Sequence, residues 1–375
     1  MAHIYTPGLK VTEKTLVRKE RRLPLKGEVV VKKDQKVTGE VIVAKTALPG
    51  NVTTVNVAGL LGVPAEDIKM MMLKKAGDTI KKDEPIAHSK GFFGMFKSVV
   101  KSPIDGSVES VSEITGQVIL REAPKPVQVL AYVDGLVTDI FPEEGVAVET
   151  EASLVQGIFG IGGETRGSIK VLVKTVNDPL TAQDITEDCK DMIIVGGSIV
   201  DQPALDKARS VGAKGVIVGG IEDSTLKKFL GYDIGVAITG HEKCGVSVMV
   251  TEGFGRMRMA NHTFKLINSL VGKMASMNGA TQIRAGVIRP ELIVPYDSKT
   301  TVKSETTKKL EGGLVIGSLV RIIREPNFGM IGKVTSLPVE LRNIETESKV
   351  RILEVELENG KRIFLPRANV EIIEE

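Results

Sequence analysis

Four short segments in the first half of the chain share the form Gly-x-β-x-x-β, in which β is Val, Ile or Leu. They begin at Gly50, Gly106, Gly135 and Gly167. A glycine that recurs just before paired apolar residues indicates a turn with positive φ that leads into a strand. The first two copies have a matching upstream half at residues 36–44 and 77–87. The repeat predicts short β-rich units over residues 1–167.

The second copy, residues 77–111, resembles the barrel-sandwich hybrid fold of biotinyl and lipoyl carrier domains. Those carriers present a modified lysine in a hairpin between the two halves. In this chain the hairpin position is taken by residues 89–96, where Lys90 lacks the flanking residues of the carrier motifs. We therefore expect no prosthetic group. Three phenylalanines in this loop form either a docking patch for a partner or part of the core: Phe92, Phe93 and Phe96.

Residues 168–300 change to an α/β pattern. Apolar runs at 192–195, 215–218 and 234–238 alternate with helical stretches at 201–211 and 224–230, and a longer helix is expected around 259–274. Strand–helix–strand order with short connections predicts a short parallel sheet. The pairs Gly196–Gly197 and Gly219–Gly220 follow strands, where they either close tight βα units or line an anion pocket.

The C-terminal residues 313–375 resemble a KOW motif, which occurs in NusG-type transcription elongation factors and in ribosomal proteins. The residues that carry the resemblance are Gly317, Val320, Arg321, Ile323, Gly329, Gly332 and Val334. A hairpin with Asn-Gly at 359–360 follows, so we expect a small SH3-like barrel. The polar residues 301–312 read as a linker. The resemblance implies contact with RNA polymerase, the ribosome or RNA. The basic residues expected to make it are Arg321, Arg324, Lys333, Arg362 and Arg367.

Basic charge is concentrated near the N-terminus. Residues 1–50 carry 11 Lys or Arg against 5 Asp or Glu, whereas the whole chain has a net charge of only +3. The densest cluster is Arg18, Lys19, Arg21 and Arg22. This cluster is interpreted either as a phosphate-binding surface or as the solvated charge of a strand edge.

The composition limits which metal, cofactor and catalytic sites the chain can form. Two cysteines and four histidines without a ligand spacing give no expected metal site, and no cofactor is expected. Aromatic residues make up 4% of the chain, which is too few for base stacking along an extended strand. Cys244 beside His241 lacks a third, orienting group, so we expect no thiol catalysis. The glycine-dense residues 157–167 lack the Lys-Ser/Thr of a P-loop and read as a turn.

The sequence thus predicts a multidomain, β-rich α+β protein with a barrel-sandwich hybrid-like N-terminal region, a central α/β domain and a C-terminal SH3-like KOW barrel. No signal peptide or membrane span is expected, which favours a cytoplasmic location. The favoured function is non-enzymatic binding to the transcription or translation machinery. The alternatives are an enzyme or accessory subunit whose α/β domain binds a small anionic ligand, and a structural assembly protein.

Lys90 is expected to carry no biotin or lipoyl group, because the modifying ligases read flanking residues that this loop lacks. Intact-mass measurement on protein from its native host tests this. A mass increment equal to either group would contradict the expectation.

Overall fold

The computed structural model describes residues 9–89, 98–232, 244–281, 288–296, 314–322, 327, 330–338, 341–343, 349–357 and 360–374. Within these residues the chain is rich in β-strands arranged in several sheets, as the sequence predicts. No helix in this part of the chain has the length and hydropathy needed to cross a membrane.

The first half of the chain contains mainly short strands. They are β1 (Leu9–Arg22), β2 (Glu28–Val29), β3 (Lys36–Val37), β4 (Ile42–Leu48), β5 (Val52–Asn56), β6 (Thr79–Ile80), β7 (Pro85–His88), β8 (Val99–Lys101), β9 (Gly106–Val111), β10 (Gln117–Arg121), β11 (Lys125–Leu130), β12 (Gly135–Phe141), β13 (Gly145–Gln156), β14 (Phe159–Ile161) and β15 (Glu164–Val171). Two short helices lie between β5 and β6: α1 (Val57–Leu61) and α2 (Ile68–Met71).

The second half combines helices and strands. The central elements are β16 (Met192–Val195), β17 (Ile199–Val200), α3 (Gln202–Val211), β18 (Gly215–Ile221), α4 (Asp223–Leu230), β19 (Ser247–Phe254), α5 (Asn261–Ser269), β20 (Met274–Asn278) and β21 (Glu291–Pro295). The C-terminal strands are β22 (Leu319–Ile322), β23 (Ile331–Ser336), β24 (Leu341–Asn343), β25 (Lys349–Leu357), β26 (Arg362–Pro366) and β27 (Val370–Glu374).

The N-terminal region is built from one β-module inserted into another. The outer module comprises residues 9–48 and 125–156, and the inserted module comprises residues 50–122. In the outer module the strands pair in the order β1–β13–β12–β3, with β2–β4–β11 as a second sheet. The inserted module repeats this order as β5–β10–β9–β6, with β7–β8 as its second sheet. The insertion lies at the β4–β11 hairpin.

The two modules also use the same turn. In the outer module the amide of Asp34 donates to the carbonyl of Val137 at 2.8 Å, and in the inserted module the amide of Gly77 donates to the carbonyl of Val108 at 2.8 Å. Asp34 and Gly77 have φ values of 62° and 92°, the left-handed region that favours glycine or Asp. The positive φ lies at these turn residues, so the positive φ expected at Gly50, Gly106, Gly135 and Gly167 is wrong. A Cβ on Gly106 would lie 2.0 Å from the carbonyl oxygen of Arg121, which shows that the repeat glycine instead allows the neighbouring backbone to approach closely.

A second contact repeats between the modules. The amide of Gly39 donates to Asp134 Oδ1 at 2.6 Å, and the amide of Lys82 donates to Asp105 Oδ1 at 2.9 Å. Each carboxylate comes from the turn that precedes β12 or β9. Strand β12, which begins at Gly135, is the strand that pairs with β3. The segment 50–55, which the sequence pattern placed after residues 36–44, belongs to the inserted module instead.

The central region contains the predicted parallel sheet. Strands β15, β16, β18 and β19 are parallel neighbours in that order, and α3 connects β16 to β18. Asp201 caps α3 as expected, since its Oδ1 accepts from the amide of Ala204 at 2.8 Å. The strand that follows β18 in this sheet is β19. The third strand of the prediction, at 234–238, lies outside the described residues. Helix α5 is shorter than predicted.

Both faces of the parallel sheet are buried. Ile194 packs with the cluster beneath α3 and α4, whereas Ile193 and Val195 pack with the cluster that includes α5 residues. Full burial on both sides explains the uninterrupted apolar runs in the sequence. The boundary predicted between residues 167 and 168 falls inside β15, whose first half pairs with β20.

The C-terminal strands form an antiparallel half-barrel around their own apolar cluster, and this half-barrel, formed by β22 to β27, is called the C-terminal barrel. The ladder order is β26–β25–β23–β22–β27, and the predicted hairpin joins β25 to β26 with Glu356 opposite Arg362. At the far edge β27 pairs in parallel with β1 through Leu9. The predicted linker at 301–312 lies outside the described residues.

Replacing residues 49–124 by the dipeptide Asn-Gly should leave the remaining protein folded. Leu48 and Lys125 are directly opposite each other in β4 and β11, so a two-residue turn suits them. The inserted module has a separate apolar cluster. Cooperative urea unfolding of the shortened protein, followed by circular dichroism, is the measurement. A non-cooperative transition would show that the outer module depends on the inserted one.

Candidate functional site

The basic cluster on β1 is matched by carboxylates from neighbouring strands. The pairs are Arg18 with Asp139 and Glu149, Lys19 with Glu291, Arg21 with Glu164, and Arg22 with Glu144. The Arg21 pair is bidentate, with both nitrogen–oxygen distances at 2.6 Å. The hydrogen bonds that Arg18 donates to Glu149 and Asp139 raise the pKa of its guanidinium. The charge that suggested a phosphate-binding surface is thus largely neutralised within the fold.

The carboxyl ends of the parallel strands are filled by the chain itself. A Cβ atom on Gly219 would lie 2.3 Å from the carbonyl oxygen of Met257, and one on Gly197 would lie 2.4 Å from that of Thr175. The Gly219 amide donates to the Gly197 carbonyl at 3.1 Å. These glycines therefore allow close backbone packing, and the space in which a parallel sheet binds an anion is occupied.

The glycine-dense residues 157–167 also have a structural role. Gly157 donates its amide to the carbonyl of Pro290 at 2.8 Å, and Gly160 donates to Thr281 Oγ1 at 2.8 Å. Two of the amides in this stretch are consequently engaged by the protein rather than directed at a phosphate.

Two groups of predicted contacts lie outside the described residues: the loop phenylalanines Phe92, Phe93 and Phe96, and Arg324. His241 lies outside them as well. Cys189 is buried and Cys244 is partly buried, and the two do not form a disulfide. Within the described ranges no group of three or more His, Cys, Asp or Glu side chains is arranged to hold a metal ion.

The outward face of the C-terminal barrel is divided between a covered part and an exposed part. Strand alternation places Val320 and Ile322 inside the barrel, in its apolar cluster. Leu319 and Ile331 lie on the outward face, yet both pack against the apolar cluster of the central region. The outer surface of the barrel at β22 is therefore an internal surface of the protein.

Arg321 lies in this covered part, so the expectation that it is exposed to a partner is wrong. It is 1% exposed. Its Nη1 donates to the carbonyl oxygens of Thr251 and Glu252, each at 3.0 Å, and lies 3.6 Å from Glu252 Oε2. The alternation predicted correctly that Arg321 points away from the barrel core. The end of β19 covers that direction, so the guanidinium holds the barrel against the central region.

Glu252 is buried beside Arg321, and burial raises the pKa of its carboxyl group above the ordinary value. The Arg321 charge and a hydrogen bond from the amide of Ala260, 3.0 Å from Oε1, oppose this rise. The junction between the barrel and the central region is accordingly polar at its centre, with one buried charged pair.

The exposed part of the outward face carries a row of charged residues across three strands. Lys333 lies opposite Glu356, which lies opposite Arg362, and Phe364 is two residues further along β26. Lys333 is exposed, and the side chain of Arg362 is 61% exposed and 3.0 Å from Glu356. Arg367 differs from these residues, because it donates to the backbone carbonyls of Ile352 and Pro338 and has a structural role.

A groove runs between this row and the start of α5. It has a volume of about 480 Å³ and is lined by Ala260, Asn261, His262, Leu319, Ile331, Gly332, Lys333, Thr335, Glu356 and Leu357. Of the predicted contact residues that the structure describes, only Lys333 lines it. Sequence reasoning did not find the α5 residues, because α5 and β22 are distant in the chain. One signal was present: Leu319 and Ile331 are apolar on a face that alternation assigns to solvent.

A scan against protein-family models and a search of curated proteins gave no match to this chain.

Substituting Arg321 by Met should lower the free energy of unfolding by about 3–5 kcal/mol, because Glu252 would then be buried without its cation. Urea denaturation measures the change. The exposed Arg362→Met serves as the matched control and should cost about 0.5 kcal/mol or less. Equal free energies of unfolding for the two variants would indicate that Arg321 is exposed like Arg362.

The raised pKa of Glu252 gives the stability a pH dependence of defined sign. Between the ordinary pKa and the raised one, the folded protein holds a proton that the unfolded chain has released. The wild type should therefore gain stability relative to Glu252→Gln as the pH falls from neutral towards 4.5. Unfolding of both proteins across this pH range is the measurement. A difference that does not vary with pH would contradict the assignment.

Proposed function

We propose that this protein is a non-enzymatic binding protein that associates with the transcription or translation machinery through its C-terminal barrel. The resemblance of residues 317–334 to a KOW motif indicates this class of partner. The observation that carries the proposal is the exposed outward face of the barrel, formed by Lys333, Glu356, Arg362 and Phe364. It is the part of that face that the central region leaves accessible.

The basic residues within this surface are Lys333 and Arg362. Arg321 and Arg367 are engaged by backbone carbonyls, so they position the barrel instead of reaching a partner. The four basic residues of β1 are engaged by carboxylates and are not part of the proposed surface. The recognition surface is thus smaller and less basic than the sequence alone suggests.

Two structural resemblances support this proposal. The nested modules, with matching strand orders and matching turns, are consistent with two barrel-sandwich hybrid units. The C-terminal barrel is consistent with an SH3-like barrel of the KOW type. Together they describe a scaffold that holds one small recognition domain against a rigid β-rich body.

The proposal is tested by affinity purification of the tagged protein from a lysate of its own host, with and without RNase and at two salt concentrations. RNA polymerase subunits or ribosomal proteins should be recovered. Retention after RNase indicates a protein contact. A contact to RNA phosphates instead gives a steep loss with salt, and removing one Lys or Arg reduces the slope by about one.

The double variant Lys333→Glu/Arg362→Glu should lose these partners. The matched control is Lys26→Glu/Lys45→Glu, which makes the same charge change at exposed residues of the outer module that each pair with one glutamate. Recovery of the same proteins in equal amounts by both variants would remove the barrel surface from the proposal.

A further inference from the structure

We propose that the groove between α5 and the barrel binds an extended peptide segment in which a carboxylate lies next to a bulky apolar side chain. This inference rests on the proposed function only in naming the kind of partner. The groove and its chemistry are independent of which machinery supplies the peptide.

The floor of the groove is apolar. Leu319 and Ile331 come from the outward face of β22 and β23, and Ala260 closes the opposite wall. The volume of about 480 Å³ falls within the range of ligand pockets, and such pockets occur preferentially where two domains meet. A floor of this kind favours burial of an aliphatic or aromatic side chain.

The described residues at the rim of the groove carry one net positive charge. Lys333 is exposed at the edge, and the negative charge of Glu356 is offset by Arg362 at 3.0 Å. A single carboxylate therefore balances the charge of the rim, whereas two or more phosphates would carry more negative charge than the rim balances.

The start of α5 adds a second attraction for a carboxylate. The helix has nine residues, its first turn contains no acidic side chain, and its N-cap, Ala260, supplies no side-chain acceptor. Glu252 Oε1 already accepts from the amide of Ala260, and Thr263 is buried. The first-turn amides at the groove are therefore those of Asn261 and His262, whose N–H groups have no partner inside the helix. The N-terminal end of a helix carries a partial positive charge that stabilises an anion.

Single-stranded RNA fits this groove less well than a peptide does. Binding to RNA draws its affinity from several phosphates along a basic track and from bases stacked on aromatic rings. Among the described lining residues, Lys333 is the only lysine or arginine and the imidazole of His262 is the only aromatic ring, too few for a track of phosphates and stacked bases.

The test uses fluorescence anisotropy on the full-length protein with a panel of labelled decapeptides. Each peptide places Asp or Glu next to Leu, Ile, Met or Phe in a Gly-Ser background, and the comparison probes are the same peptides with Asn or Gln and a labelled oligouridylate. At least one acidic peptide should bind, and its amide counterpart should bind more weakly by about tenfold, the effect of losing one charge-assisted hydrogen bond.

Two variants locate the binding. Lys333→Glu should weaken the acidic peptide by about tenfold or more, while Lys361→Glu, on the same barrel but outside the groove, should not. Asn261→Asp places a carboxylate at the start of α5. It should weaken binding while preserving the fold, since a negative charge there stabilises a helix. Thermal unfolding of each variant confirms that it is folded.

Binding of no acidic peptide, equal binding of the amide peptides, or preference for oligouridylate would each overturn the proposal. Unchanged binding by both Lys333→Glu and Asn261→Asp would overturn it as well. Because this assay uses purified protein, peptide binding without recovery of polymerase or ribosome from a lysate would contradict the proposed function and leave the groove assignment intact.

Discussion

The structure depends on the pairing of both edges of β13. One edge pairs with β1 from Val155 back to Gly145, and the other is shared between β12 over the first half and β21 over the second. Since buried backbone N–H and C=O groups must be paired, this strand joins the outer module and the central sheet into one ladder. The two regions share a strand, so neither can separate without breaking those hydrogen bonds.

The inserted module shows how the ladder tolerates a large addition. It enters and leaves where β4 and β11 are already paired, at Leu48 and Lys125, so the outer module's hydrogen bonds continue on either side of the insertion. Its apolar cluster is separate from that of the outer module. Such an insertion leaves the outer core intact, and the closure entropy of a long loop rises only slowly with length.

The C-terminal barrel is attached to the rest of the protein by other contacts than a shared strand. Within the described residues it is attached by the parallel pairing of β27 with β1, by the polar contact of Arg321 with Thr251 and Glu252, and by the packing of Leu319 and Ile331 on the central apolar cluster. A buried charged pair stabilises little against an apolar alternative, but removing one partner is costly, so such a pair favours a single docked orientation. That orientation also creates the groove, because α5 and the barrel meet around Leu319 and Ile331 without filling the space between them.

The sequence by itself determined the features that arise from local backbone chemistry and strand periodicity. Residue type and spacing determine the β-rich repeat, the Asp201 helix cap, the parallel strands 192–195 and 215–218 and the C-terminal hairpin, but not the backbone conformation of the repeat glycines. It also gave the correct face for Arg321. Only the tertiary structure decided what covers that face, which carboxylates meet the β1 cations and that α5 lies beside the barrel. Alternation along a strand distinguishes its two sides, but contacts between residues far apart in the chain determine whether a side meets solvent or protein.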